Sequence, residues 1–276
     1  MEALDIQKRV ETLDTTHDRN EAVRILNLFF AELEKGTVRS AARDDMGVWH
    51  AQEWVKKAIL AAFKFGVLTD FASGALSFVD KDTLSPRRFK KVEDIRIVPG
   101  GSSVRRGAYI GKGVVVMPPS YINVGAYVGD DTMIDSHVLV GSCAQIGNRV
   151  HLSAGAQIGG VLEPIGTVPV IIEDEVVVGG NTGIYEGTIV RTRAVIGAGV
   201  VITGSTPVYD VVRSQIYRRT ETHALEIPYG AVVVPGSRPV SDAFGVEHHL
   251  HVSTPVIIKY RDEKTDAATI LEEALR

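Results

Sequence analysis

Residues 110–158 read IGKGVVVMPPSYINVGAYVGDDTMIDSHVLVGSCAQIGNRVHLSAGAQI. An aliphatic residue opens this stretch and returns at every sixth position: Ile110, Val116, Ile122, Val128, Ile134, Val140, Ile146, Leu152 and Ile158. Outward from it, the series runs back through Val104 to Val98. After an eight-residue interruption near 162–169 it resumes at Ile172, Val178, Ile184, Val190, Ile196, Ile202 and Val208. Four residues after nearly every member stands a small or β-branched residue, such as Ala108, Ala126, Thr132, Ala144 and Ala156. A period of six suits neither a 3.6-residue helix nor a long alternating strand. It suits a short strand with two inward residues two apart, then a turn. Three such units close a triangular coil, and coils stack through strand pairing at roughly 4.8 Å. The expected fold is mainly β, a parallel β-helix of hexapeptide repeats. Glycine directly after the aliphatic position, as at Gly111, Gly129, Gly141 and Gly179, is expected to supply unusual backbone angles at the corners.

The flanks lack the period. Residues 1–95 read as a helical N-terminal domain that caps the coil, 96–208 as the β-helix, and 209–276 as a small α+β C-terminal domain. Asp18 with Glu21 resembles a capping box, ahead of a helix whose apolar face is Val23, Leu26, Phe29, Phe30 and Leu33 and whose end is Gly36. Residues 37–49 look strand-like. A second amphipathic helix is expected over 51–65, with Trp54, Val55, Ala58, Ile59, Ala62 and Phe63 inward and Lys56 and Lys57 outward. Residues 84–93 read as a linker. In the C-terminal part, 231–234 and 256–258 read as strands, 211–226 and 237–253 as loops, and 265 onward as a helix.

The chain has 276 residues, 45% of them hydrophobic, which is ample for a core. A net charge of -4 gives no basic field for nucleic acid or an acidic membrane. The single cysteine, Cys143, excludes an internal disulfide framework and fits a reducing cytoplasm. The opening MEALDIQKRV contains acidic residues and lacks an apolar run, so no signal peptide is expected, and no apolar segment approaches ~20 residues.

A coil buries its aliphatics, so polar corner residues are the candidates for chemistry. Asp135 follows Ile134 and Ser153 follows Leu152 one coil later, which should set both on one edge of the prism. His137 and His151 lie close by in sequence, Glu163 stands in the interruption, and Glu186 belongs to a later coil. Any of these also reads as a solvated corner residue. No Walker or GxGxxG loop occurs. His248, His249 and His251 suggest a metal site less than a solvated loop, so no metal is expected. Cys143 has no histidine partner by stacking and reads as structural.

The run VMPPSYINVGAYVGDDTMIDSHVLVGSCAQIGNRVHLSAGAQIGGVLEP, residues 116–164, strongly resembles the tetrahydrodipicolinate N-succinyltransferase family. The likeness extends to WHAQEWVKKAIL at 49–60, IRIVP at 95–99, PVIIED at 169–174 and DEKTDAATILEEALR at 262–276. The resemblance implies a left-handed coil and a homotrimer with active sites between neighbouring subunits. It also implies succinyl transfer from succinyl-CoA to the amine of a ring-opened amino-oxo-pimelate, in diaminopimelate and lysine synthesis. By the same resemblance Asp135 is the active-site aspartate, Glu186 the catalytic glutamate, and Arg96 the arginine for a substrate carboxylate. Ser153, Gly159 and Gly160 then belong to the substrate cleft. The chemistry agrees: an amine must shed a proton to attack a thioester, an arginine fork suits a carboxylate, and corner N–H groups can hold an oxyanion. Charge alone suggests Arg191, Arg193 and Lys259 for the phosphates of CoA. The chain departs from the family at His137, where a tryptophan is usual, and at Asn181, where an arginine is usual. Those departures keep acetyl-CoA open as the donor. A hexapeptide carbonic anhydrase would need three zinc histidines from adjoining faces, and the coil holds only His137 and His151. A scaffold without activity is the remaining alternative.

Overall fold

The computed structural model describes residues 3–73 and 76–262. From Arg96 onward, two-residue strands fall in turn on three faces, beginning with Arg96–Ile97 on the first, Ser103–Val104 on the second and Tyr109–Ile110 on the third. Each pairs in parallel with the strand one coil on. Ile134 faces Leu152 on the first face, Val140 faces Ile158 on the second, and Ile110, Val128 and Ile146 form a ladder on the third. The three sheets contain ten, six and six strands among the described residues. The six-residue series lines the interior: Val116, Ile122, Val128, Ile134, Val140, Ile146, Leu152 and Ile158 are all 0% exposed. Val138, Ala144, Val150 and Ala156 fill the second inward position beside them.

Both ends of the ladder differ from the count. Ile97, not Val98, faces Val116, because the Pro99–Gly100–Gly101 corner takes up an additional residue. Val208 is buried but leaves the ladder, and Val190 pairs with Ile227 while Ile196 pairs with Val233. Residues 203–224 are therefore an excursion between coils. The glycines after the aliphatic position also do other work than expected. The left-handed angles lie two residues later in most corners, at Gly107, Gly113 and Gly125 and also at Asp131, His137 and Arg149. Gly141 instead permits close stacking, since a Cβ there would lie 2.1 Å from the Gly160 nitrogen.

Three helices precede the coil: α1 (Ala3–Glu11), α2 (Arg19–Glu34) and α3 (Glu53–Phe65). Asp18 caps α2 alone by accepting the Asn20 N–H at 2.9 Å, while Glu21 pairs with Arg24 rather than closing a box. Val23 is only half-buried; Ala22 and Ile25 share the core with Leu26, Phe29 and Phe30. This core also takes Val124 and Cys143 from the coil, so the helices dock on the corner between the second and third faces. Ala41–Arg43 and Trp49–Ala51 form a small antiparallel pair against the third face.

Lys56, expected outside, is fully buried. Its Nζ donates to the Thr167 carbonyl in the interruption, which leaves the prism and packs on the helical domain through Leu162. Amphipathic spacing alone could not show that a loop more than a hundred residues away covers that flank of α3.

At the far end, Ala231–Pro239 and His251–Tyr260 make one antiparallel hairpin. The expected 237–253 loop is thus strand at its two ends, 237–239 and 251–253, with α4 (Ala243–Glu247) across the tip. The tip stands in solvent, so it needs no apolar alternation and looks like loop in sequence. The other expected loop contains the strand Gln215–Tyr217, paired with Val208–Asp210. The helix expected from 265 lies outside the described residues.

Candidate active site

Strand register sorts the candidates by corner. Between the first and second faces, the Asp135 N–H donates to the Leu152 carbonyl and the Ser153 N–H to the Val178 carbonyl, both at 2.9 Å, which stacks these residues in one column. Asp135 Oδ1 accepts the Ser136 N–H at 2.7 Å, and its carbonyl accepts from Ser120 Oγ at 2.7 Å. Oδ2 has no hydrogen-bond partner among the described residues. His137, Gly155 and Asn181 form the neighbouring column, all left-handed at φ 62°, 73° and 54°.

Glu186 lies at a different corner, between the second and third faces, on the far side of the strands Leu139–Val140 and Gln157–Ile158 from Asp135. It is exposed and left-handed at φ 53°, followed by Gly187 at 73°. Its Oε2 accepts the Gly204 N–H at 2.6 Å, and Oε1 has no partner among the described residues. A cavity of about 200 Å³ opens beside it, walled by Thr167 and Val168 of the interruption and by Arg219, Glu221 and His223 of the excursion. Gly159 and Gly160 begin the same corner one coil earlier, with the Tyr185 ring against Gly159. Within one chain, then, Asp135 and Ser153 are brought together, and Glu186, Gly159 and Gly160 are brought together, but the two groups are apart. His137 and Asn181 belong with Asp135. Arg96 is exposed at the start of the first face, in an outward row with Val115, Met133 and His151. Glu163 is exposed in the interruption.

The basic candidates lie elsewhere. Arg191 binds Glu226 through two nitrogens at 2.9 Å and Glu173 at 2.8 Å. Burial would raise the Glu173 carboxyl, but hydrogen bonds from Trp49, Arg191 and the Thr192 N–H, with the charge of Arg191, outweigh it and hold the group below the usual range. Arg193 and Arg149 both reach Glu175, at 3.3 and 2.9 Å. Lys259, on the hairpin, pairs with Asp262 at 3.3 Å. The His248 ring lies tilted against Phe244, with centroids 4.2 Å apart, at the end of α4, and His251 lies on the hairpin near Ser237. Sequence reasoning missed Arg219; its only signal was the pair Arg218–Arg219 in a stretch read as loop.

A family model described as tetrahydrodipicolinate N-succinyltransferase N-terminal matches residues 5–65, and one described as hexapeptide repeat of succinyl-transferase matches 169–204. The chain is 45% identical over 250 residues to the 2,3,4,5-tetrahydropyridine-2,6-dicarboxylate N-succinyltransferase of Acinetobacter baylyi, covering 88% of this chain and 86% of the relative. It is 40% identical over 283 residues to the protein of the same name from Rhodopseudomonas palustris, covering 99% and 95%. Among solved structures, a hexapeptide-repeat acetyltransferase from Vibrio cholerae aligns at 23% identity and TM-score 0.31 over 44% of this chain and 64% of its own. With identities of this size over nearly the full length of both chains, and a coil of stacked hexapeptides behind the helical domain, the chain belongs to the tetrahydrodipicolinate N-succinyltransferase family.

Proposed function

We propose that this protein is an acyl-CoA-dependent N-acyltransferase that moves a succinyl group from succinyl-CoA to ring-opened tetrahydrodipicolinate, in diaminopimelate and lysine synthesis in the cytoplasm. The observation that carries this reading is the pair of carboxylates at coil corners, Asp135 and Glu186, each oriented by a backbone N–H and each with one oxygen that has no partner among the described residues. A carboxylate so held can orient an ammonium group and take its proton. The freed amine attacks the thioester carbon, a corner N–H receives the oxyanion, and collapse forms the amide and expels CoA as thiolate, which takes up a proton. Arg96 serves a substrate carboxylate, and Ser153, Gly159 and Gly160 line the cleft.

One chain holds its two carboxylates at different corners, so the working cleft lies between neighbouring prisms of a homotrimer, with Asp135 from one subunit and Glu186 from the next. CoA runs along that groove with Arg193 or Lys259 near its phosphates. Arg191 is the least suited of the three, because two carboxylates already neutralise it. Acetyl-CoA as donor is a second reading, favoured by the uncharged Asn181 in the column beside Asp135. Purified protein with tetrahydrodipicolinate and either donor, followed by release of free thiol, tests both. Release with acetyl-CoA alone selects the second, and release with neither overturns acyl transfer.

A further inference from the structure

The cavity beside Glu186 contains a cation that the reaction above does not use. Arg219 lines it from the 203–224 excursion, and its guanidinium has no ion pair or hydrogen bond among the described residues. A Cβ built at Gly204 would lie 2.5 Å from Glu186 Oε2 and 3.2 Å from Arg219 Nη1, so these two ends are separated by less than about 6 Å, yet they form no ion pair. Glu186 is meanwhile pinned by the Gly204 N–H. A carboxylate and a guanidinium that face one small volume without touching can receive a ligand bearing both signs of charge. In an α-amino acid the nitrogen and the carboxylate sit on one carbon, with N and O roughly 3 Å apart. Hydrogen bonds of about 2.8 Å at bent angles join such a group to both side chains. An amine and a carboxylate at opposite ends of a longer carbon chain overreach the gap.

We propose that Arg219 binds the α-carboxylate of the amine substrate, the carboxylate on the carbon whose nitrogen Glu186 receives. This rests on the acyl-transfer reading for the role of Glu186 and adds a residue from the excursion to the site. An arginine there can make two parallel bonds to the carboxylate, which a lysine cannot. Glu221 and His223 share the cavity, and the hydroxyls of Thr220 and Thr222 meet the His223 ring, leaving Arg219 as the cation free for the ligand.

The test uses the full-length protein and the variants Arg219→Gln and Arg219→Lys, with circular dichroism as the check on folding. Arg219 is exposed, so neither change removes core packing. Arg219→Gln is expected to raise the acceptor KM about 10- to 100-fold, the usual range for a charge-assisted pair, and to leave the acyl-CoA KM unchanged. Arg219→Lys is expected to recover part of the loss. Calorimetry adds a readout independent of turnover: an α-amino dicarboxylate without the oxo group should bind wild type at least about 10-fold more tightly than Arg219→Gln. The corresponding amine without its α-carboxylate should bind both alike. Equal binding of the α-amino dicarboxylate to both proteins, or no binding to wild type, overturns the assignment. So does an equal loss with the amine lacking that carboxylate. Absence of thiol release from wild type with every acyl-CoA would instead overturn the acyl-transfer reading, and the calorimetry would still decide on Arg219.

Discussion

Cys143 occupies a corner of the coil at φ 66° with 0% exposure, where it packs in the helical core. Burial pushes its thiol up to about 11, against smaller downward pulls from the charge of Lys56 and a hydrogen bond from Ser40. Because the thiolate is the reactive form, the native protein should resist a disulfide reagent at pH 8 and react only after denaturation. Rapid native labelling would show that the helical domain lifts from the coil. Asp135 is partly exposed and Glu186 exposed, and each has one carboxylate oxygen without a partner among the described residues. Asp135→Asn and Glu186→Gln keep the oxygen that accepts the backbone N–H, so folding should be preserved while kcat falls by about 10²-fold or more. Wild-type turnover in either variant would make that residue an ordinary solvated corner.

Two straps fasten the N-terminal elements to the coil. In one, the Arg39 guanidinium sits 3.7 Å from the centre of the Tyr127 ring, and its Nε donates to Gln145 Oε1 at 2.9 Å. Gln145 Nε2 in turn donates to Ser40 Oγ at 2.8 Å and to the Cys143 carbonyl at 2.9 Å. In the other, Glu173 accepts from Trp49 Nε1 at 2.9 Å, from Arg191 and from both the N–H and the hydroxyl of Thr192. Amidating Glu173 leaves Arg191 paired with Glu226 but weakens the charge-assisted hydrogen bonds that Glu173 accepts, a loss of about 1.5–3 kcal/mol. Glu173→Gln should therefore lower stability by about that much at pH 7. The folded carboxyl titrates below its unfolded value of about 4.3, so its stabilisation is complete above that value and disappears as pH falls through the lower, folded one. Urea denaturation of both proteins at stepped pH checks this: the gap should close on acidification, and a gap independent of pH would assign the effect to packing.

For the whole molecule, the proposed cleft, shared between subunits, would make assembly a condition of activity. Light scattering should report a trimer, and an active monomer would contradict the shared cleft. Complementation is sharper. If each cleft takes Asp135 from one subunit and Glu186 from its neighbour, dissociating and reassembling an equal mixture of Asp135→Asn and Glu186→Gln proteins restores both groups in about one cleft in four. Recovery of roughly a quarter of wild-type activity from two nearly inactive proteins is expected. No recovery from reassembled mixed trimers would overturn the shared cleft.

The six-residue period was enough to specify the coil, because each inward position repeats locally and a stacked coil is the arrangement that buries all of them at once. Counting along it also put Asp135 above Ser153 and Glu186 in a later coil. The sequence alone carried the family as well, through motifs that span most of the chain. What it left open depends on residues far apart in the chain and without period. The ladder begins at Ile97 because of how the Gly100–Gly101 corner is spaced. Lys56 is buried because a loop from the coil covers it. Ile227 rather than Val208 closes the third face because an excursion intervenes, and that same excursion carries Arg219 to Glu186. Local spacing records which way a side chain points from its own element, whereas its neighbour across the fold is set by where long loops return, and only the tertiary structure decides that.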